Sequence, residues 1–241
     1  MPIERLLVIA DAHIGAASAE SEAALLRFLA EAPSLGDGLL VAGDLFEFWF
    51  AWRRAVPSRA FPVAAALAAL AARMPVSMVG GNHDRWGRPF WTESTPVTWS
   101  PQSLALTVAG CTLVTLHGDG VAEGPGRVGW SHRLVGHPAT SAAFSLLHPD
   151  LGLWLVRRLA PFLSEPELTP EILAANAARQ LAYARRTLAA SPGTTTLVMG
   201  HTHVPALEEC APGQYYVNPG AWLDGGRYAV ISASAPELRQ F

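Results

Sequence analysis

Five short polar motifs, each directly after an apolar run, are spread along almost the whole of this chain. D-A-H holds Asp11 and His13, G-D holds Asp44, G-N-H-D holds Asn82 and His83, H-G-D opens at His117, and G-H-T-H holds His201 and His203. Together they offer two Asp, one Asn and four His as metal donors, with a further His beside them. Carboxylate, amide and imidazole groups suit a pair of divalent ions such as Mn, Fe, Zn or Co. D-x-H or G-D alone carries little information. G-N-H-D followed later by G-H-T-H is specific, and core packing gives no reason for five such motifs in this order.

The elements that must position these residues are legible as apolar β-type runs at Leu6–Ala10, Leu39–Ala42, Val76–Val79, Thr112–Leu116, Thr196–Met199, Tyr215–Val217 and Tyr228–Ile231. Unbroken apolar runs of this length imply strands buried on both faces. Helical stretches at Ala19–Ala32 and Pro62–Arg73 separate the first three, giving β-α-β units. From Leu104 strands follow one another without helices. Alternating units followed by consecutive strands predict an α/β sandwich of two mixed sheets flanked by helices. The polar motifs then sit just beyond strand C-termini, the edge at which open α/β sheets bind ligands.

The stretch from Gly118 to Gly193 differs in character. It opens with Gly118, Gly120, Gly124, Gly126 and Gly129, then runs through the dense apolar set Leu151, Leu153, Trp154, Leu155, Val156, Leu159, Phe162 and Leu163. Thr169 as N-cap with Pro170 at the first helical position predicts a helix to about Ala190. The expected organisation is a core of residues 1–117 and 194–241 with a helical cap inserted at 118–193.

Composition sets further bounds. The 241 residues are 50% hydrophobic and 15% charged, with a formal net charge of −3, which argues against a nucleic-acid polymer as partner. All 17 basic residues are Arg, so a phosphate clamp here must use Arg, His, metal or backbone N–H. Cys111 and Cys210 fit no zinc or C-x-x-C spacing and are expected to be buried thiols of a reducing compartment. The run Leu6–Ala10 leads straight into Asp11, so it reads as a ligand-bearing strand and not as a cleaved leader. The longest helical apolar run, Phe61–Ala72, is shorter than the roughly 20 residues that span a bilayer. A cytoplasmic chain that touches a membrane surface at most is the expectation.

Motif order and spacing resemble the calcineurin-like dinuclear metallophosphoesterases, a family with a four-layer αββα sandwich. That resemblance implies a first metal held by Asp11, His13, Asp44 and His203. A second would be held by Asp44, Asn82, His117 and His201, with Asp44 bridging. Two such metals clamp the attacking and leaving oxygens of an in-line displacement and lower the pKa of water. It also implies that His83 protonates the leaving oxygen or stabilises the transition state, and that Glu47 orients His83. Asp84 reads as a loop holder. His132, His137 and His148 lie in the proposed cap and read as surface or core histidines. Asn218-Pro219-Gly220 is either a turn beside the site or a plain β-turn.

Two further features resemble the UDP-2,3-diacylglucosamine diphosphatase branch of that family. Phe46, Phe48, Trp49, Trp52, Trp86 and Trp91, with Arg53, Arg54, Arg85 and Arg88, flank Asp44 and His83, and L-L-H-P-D-L-G-L follows at Leu146–Leu153. The resemblance implies release of UMP from a glycolipid nucleotide, Mn as the first candidate metal, a cap that receives acyl chains, and contact with the inner-membrane surface. An aromatic cleft rimmed by Arg suits such a substrate. The best-known members carry Arg where this chain has His83. A soluble phosphodiesterase or phosphatase acting on nucleotides or phosphoproteins is the alternative, and a non-catalytic binding module on the same fold is a remoter one.

Overall fold

The computed structural model describes residues 2–52, 54–123, 137–163 and 169–241. Arg53, Gly124, Gly126, Gly129 and His132 lie outside the described residues, as do the side chains of Arg88, Leu159, Phe162 and Leu163.

Strand β1 (Leu6–Ile9) is apolar at every position because both of its faces are covered. Leu7 and Ile9 share a core with Leu25, Phe28, Val63 and Leu67 of helices α1 (Ala19–Leu35) and α2 (Phe61–Ala71). Leu6 and Val8 point the other way, into a core with Leu113, Val198 and Val217. The two-residue period of a strand makes this division. Strands β2 (Gly38–Val41) and β3 (Val76–Val79) lie parallel to β1, and β4 (Thr98–Ser100) lies parallel to β3.

The second sheet begins with β5 (Ser103–Val108), antiparallel to β6 (Cys111–Leu116), beside which β7 (Thr194–Val198) runs parallel. Strand β8 (Ala206–Ala211) pairs antiparallel with β9 (Gln214–Asn218), which is parallel to β7. Strands β10 (Arg227–Ile231) and β11 (Glu237–Gln240) return to the first sheet as an antiparallel edge beside β1. The sheet orders are β11-β10-β1-β2-β3-β4 and β5-β6-β7-β9-β8. Strands β4, β8 and β11 were not expected from the sequence. Each ends a sheet, where one flank lacks a neighbour and the apolar signal is weak.

Helix α3 (Arg88–Ser94) follows the G-N-H-D loop; α4 (Pro138–Ser145), α5 (Pro149–Leu163) and α6 (Pro170–Ala190) belong to the insertion. Thr169 caps α6 by accepting from Ile172 N at 3.4 Å, and Pro170 is its first residue, as expected. Inside the stretch 118–193, α6 does more than extend a cap. Its Ala184 and Leu188 form a third core cluster with Leu197, Met199 and Tyr216. Helix α6 is therefore the layer that covers the second sheet, and three apolar interfaces separate four layers. Helices α4 and α5 dock elsewhere. Phe144 meets the rings of Phe50 at 4.7 Å, Trp52 at 5.6 Å and Phe48 at 6.2 Å.

Two expectations are corrected by burial. Cys111 is exposed and Cys210 half-exposed, both as free thiols, because β6 begins at a solvent-facing hairpin and β8 is an edge. The aromatic set after Asp44 does not form one cleft wall. Phe46, Trp49 and Trp91 are fully buried in the helix-side core of the first sheet, with Phe46 and Trp49 stacked at 4.7 Å and Trp49 and Trp91 at 5.1 Å. Among the described residues no helix is long and apolar enough to cross a membrane.

Candidate metal centre

Because β1, β2 and β3 are parallel in one sheet and β6 and β7 are parallel in the other, their C-termini deliver loops to a single edge. The loops are laced together by backbone. Asp11 N donates to Gly43 O at 3.1 Å, Ala12 N to Asp44 O at 2.9 Å, and Gly200 N to His117 O at 2.8 Å. Asp84 holds the crossing, as the sequence suggested. Its Oδ2 accepts from Leu45 N at 2.8 Å and Phe46 N at 3.3 Å, and its Oδ1 accepts from Gly81 N at 2.8 Å.

The backbone at this edge is strained. Among the described residues, the non-glycine positions with positive φ are Asp11 (52°), His13 (44°), Asp44 (49°), His201 (71°), His203 (59°) and Ala109. All but Ala109, which sits in the β5–β6 turn, are candidate ligands. Each left-handed residue costs about 1–2 kcal/mol, so such a concentration marks a place where side-chain aim outranks backbone comfort. Two motif glycines are needed for close approach. A Cβ at Gly43 would fall 2.3 Å from His117 Nδ1, and one at Gly81 would fall 2.1 Å from Asp44 Oδ1.

Asp44 is central. Its Oδ1 accepts from His83 N at 2.9 Å, and its Oδ2 lies 3.0 Å from His117 Nε2 and 4.0 Å from His13 Nε2. Asp11 accepts from His201 N at 2.9 Å, and its Oδ1 is 3.7 Å from His203 Nε2 and 4.0 Å from His117 Nε2. Among the described residues, three groups have donor atoms close enough for one cation each: Asp11, His13 and His203; His13, Asp44 and His83; and Asp44, His117 and His201. Asn82 sits between Gly81, which abuts Asp44, and His83, which donates to it.

Each of four histidines has one nitrogen anchored. His13 Nδ1 is 2.9 Å from Glu47 Oε2, His117 Nδ1 donates to Ala42 O at 2.9 Å, His83 Nδ1 donates to Glu47 O at 2.8 Å, and His201 Nε2 bonds Glu123 Oε1. Glu47 faces two histidines. Its carboxylate is hydrogen-bonded to His13 and stands 3.7 Å from His83 Nδ1, and its backbone carbonyl accepts from that same Nδ1. Glu123 was missed altogether, since a lone Glu at the start of a Gly-rich stretch carries no motif signal.

The charges conflict. Burial pushes Asp11 up to about 6, against the pull of His117. Burial would also raise Asp44, but His117 outweighs it and holds the carboxyl well below its usual range. His117 is raised well above normal because Asp44 overcomes its burial. Burial would lower His13, but the Glu47 hydrogen bond together with the negative charges of Asp44, Asp11 and Glu47 raises it, while burial and then repulsion from His13 lower His203 to about 4. Burial works against ionisation of Glu123 too, yet the hydrogen bond and charge attraction of His201, with backbone N–H groups, bring it down to about 2. Meanwhile His13 Nε2 and Asn82 Oδ1 are buried and have no hydrogen-bond partner among the described residues, while His117 Nε2 faces the Asp44 carboxylate 3.0 Å away. Unpaired donors of these types beside two buried carboxylates fit divalent cations, which would neutralise the cluster and use the orphaned atoms.

Other sequence candidates fall away from the centre. His137 caps α4 and His148 starts α5, accepting from Ala139 N at 3.1 Å and Asp150 N at 3.3 Å. Asn218 is a clamp under the G-H-T-H loop, donating to Gly200 O at 3.1 Å and Thr202 Oγ1 at 3.0 Å while accepting from Gly220 N at 2.9 Å. Arg85 is ion-paired with Asp119, and Arg54 is exposed.

A model of the family described as calcineurin-like phosphoesterase matches residues 4–205. The UDP-2,3-diacylglucosamine hydrolase of Escherichia coli O7:K1 is 28% identical over 250 residues, covering 98% of each chain. That of Serratia proteamaculans is 27% identical over 239 residues, again covering 98% of each. Among solved structures, the phosphoesterase Yfce of E. coli is 17% identical with a TM-score of 0.46, covering 95% of this chain and 88% of its own.

Proposed function

The chain belongs to the calcineurin-like phosphoesterase family, and on that premise we propose that it hydrolyses UDP-2,3-diacylglucosamine to UMP and 2,3-diacylglucosamine 1-phosphate, a step of lipid A synthesis. The observation that carries the substrate is the reach of the similarity. The hydrolases named above match end to end, through the helical insertion as well as the core.

In this reading Asp11, His13, Asp44 and His203 hold one divalent ion and Asp44, Asn82, His117 and His201 hold the other, with Mn the first candidate. Bound there, the ions would supply Lewis acidity and lower the pKa of water. The remaining work falls to the chain. His83 donates Nδ1–H to the Glu47 carbonyl, which leaves Nε2 as the nitrogen that meets substrate. A protonated Nε2 passes its proton to the departing phosphate oxygen.

The insertion acts as the cap, with α6 as its root and α4–α5 as the part that receives acyl chains. Exposed Leu146, Leu151 and Trp154 on that helical pair support contact with lipid at the inner-membrane surface, from the cytoplasmic side. The test is UMP release from UDP-2,3-diacylglucosamine by Mn-supplemented protein, with Asp44→Ala as blank. Metal-dependent release is expected. Hydrolysis of a generic phosphodiester without UMP release would keep the metal centre and discard the lipid substrate in favour of a nucleotide or phosphoprotein.

A further inference from the structure

His201 stands on the loop after β7, and its Nε2 is hydrogen-bonded to Glu123 Oε1; both side chains are nearly buried. The second oxygen of Glu123 accepts from Gly120 N at 2.6 Å, so the carboxylate is fixed at both ends. With Nε2 committed, Nδ1 is the ring nitrogen of His201 left to face another partner. His13 and His117 show the same division of labour in the opposite sense, each anchored through Nδ1. A metal-binding histidine ordinarily donates its other N–H to a carboxylate or carbonyl, which fixes its tautomer and raises its basicity.

We propose that Glu123 is a positioning residue that holds His201 with Nδ1 presented, and thereby sets the affinity of the cation position shared by Asp44, Asn82, His117 and His201. This rests on the metal-centre reading above. The carboxylate arrives from the first turn of the insertion. That turn is pinned in place: Val121 N and Ala122 N donate to Gly118 O, each at 3.1 Å, Ala122 is fully buried, and Arg179 of α6 donates to Ala122 O at 2.8 Å. A continuous set of contacts therefore runs from α6 through Arg179 and residues 118–123 to His201. His201 thus takes its support from the segment between β6 and β7, whose helix α6 is also the outer layer of the second sheet.

The experiment is a Mn(II) titration of metal-free full-length protein against a competing chelator. It compares wild type with Glu123→Ala, Glu123→Gln, His201→Ala and the Glu123→Ala/His201→Ala pair. Wild type should bind at two sites. Glu123→Ala should weaken one of them about 10–100-fold and leave the other unchanged. Glu123→Gln keeps an acceptor oxygen and should recover part of the loss; it carries the test if the alanine variant melts early. The double variant should match His201→Ala alone, since Glu123 acts through that ring. Wild-type affinity at both sites in Glu123→Ala would overturn the proposal. So would full additivity in the double variant, which would make Glu123 act independently of His201. A wild type that fails to hold two ions would remove the metal-centre reading itself, and this inference with it.

Discussion

The two halves of the site are built differently. Asp11, His13, Asp44 and Asn82 come from the first sheet, and the carboxylate behind His13 is Glu47, three residues after Asp44 on the same loop. His117, His201 and His203 come from the second sheet, and the carboxylate behind His201 is Glu123, which belongs to the insertion. One half is supported by its own core, with Phe46, Trp49 and Trp91 packed beneath it. The other half draws its support from the segment between β6 and β7, through Arg179 of α6, the helix that covers the second sheet. One sheet thus supports its ligands from its own loops, and the other from the connection between two of its strands.

The hardest test of this division is Asp44→Ala, because Asp44 touches both halves. Metal and turnover should vanish together, by metal analysis and assay; two tightly held ions in that variant would break the bridging role. His83→Ala, on the first-sheet side beside His13 and Glu47, should lower turnover by about 10²–10⁴-fold with metal content unchanged. Loss of metal would make it a ligand. Glu47→Ala should weaken binding about 10–100-fold at the site opposite to the one Glu123 supports. If both variants weakened the same site in chelator titrations, the two halves would not be independent.

A pH series on metal-free protein addresses the cluster as a whole. Asp11 and Asp84 are raised to about 6 in the folded state, by burial above all, and His13, His117 and His201 are raised too. Groups raised on folding contribute stability below their unfolded pKa and lose it as pH climbs through the folded value. Asp44 and His203 are shifted downward, so their effects fall in more acidic solution. The melting temperature of metal-free protein should therefore fall as pH climbs above about 6.5, where His13, His117 and His201 give up protons more readily in the unfolded chain. The losses at Asp11 and Asp84 fall between about 4 and 6, where His203 opposes them. Saturating metal should reverse the trend, because the ligands bind it deprotonated. A flat profile without metal would show that the charge conflict is relieved some other way. The smallest effect is expected of Phe144→Ala, which removes the rings' hold on α4. A cost of about 1 kcal/mol, unchanged metal binding and a raised KM for lipid substrate would fit a cap docked apart from both cation sites.

Much of this was legible from local pattern. Seven apolar runs mark strands to within a residue or two, and Thr169-Pro170 marks the start of α6. What local pattern missed shares one cause. β8 and β11 lie at sheet edges and lack the apolar run that burial on two faces demands. The tryptophans near Asp44 carry the same composition whether they line a cleft or fill a core, and only the packing of α2 and α3 decides for the core. α6 reads as one more amphipathic helix of an insertion until Ala184 and Leu188 meet Tyr216.

The sequence by itself determined which donors exist and that they gather at one edge, because parallel strands put their C-terminal loops side by side. Tertiary structure alone decided which nitrogen each imidazole presents. That choice belongs to the partner on the far side of the ring, and the partner comes from elsewhere in the chain: Glu47 lies 34 residues from His13, and Glu123 lies 78 residues from His201. A hydrogen bond of that separation leaves no periodicity to read, yet it fixes the tautomer on which metal binding depends.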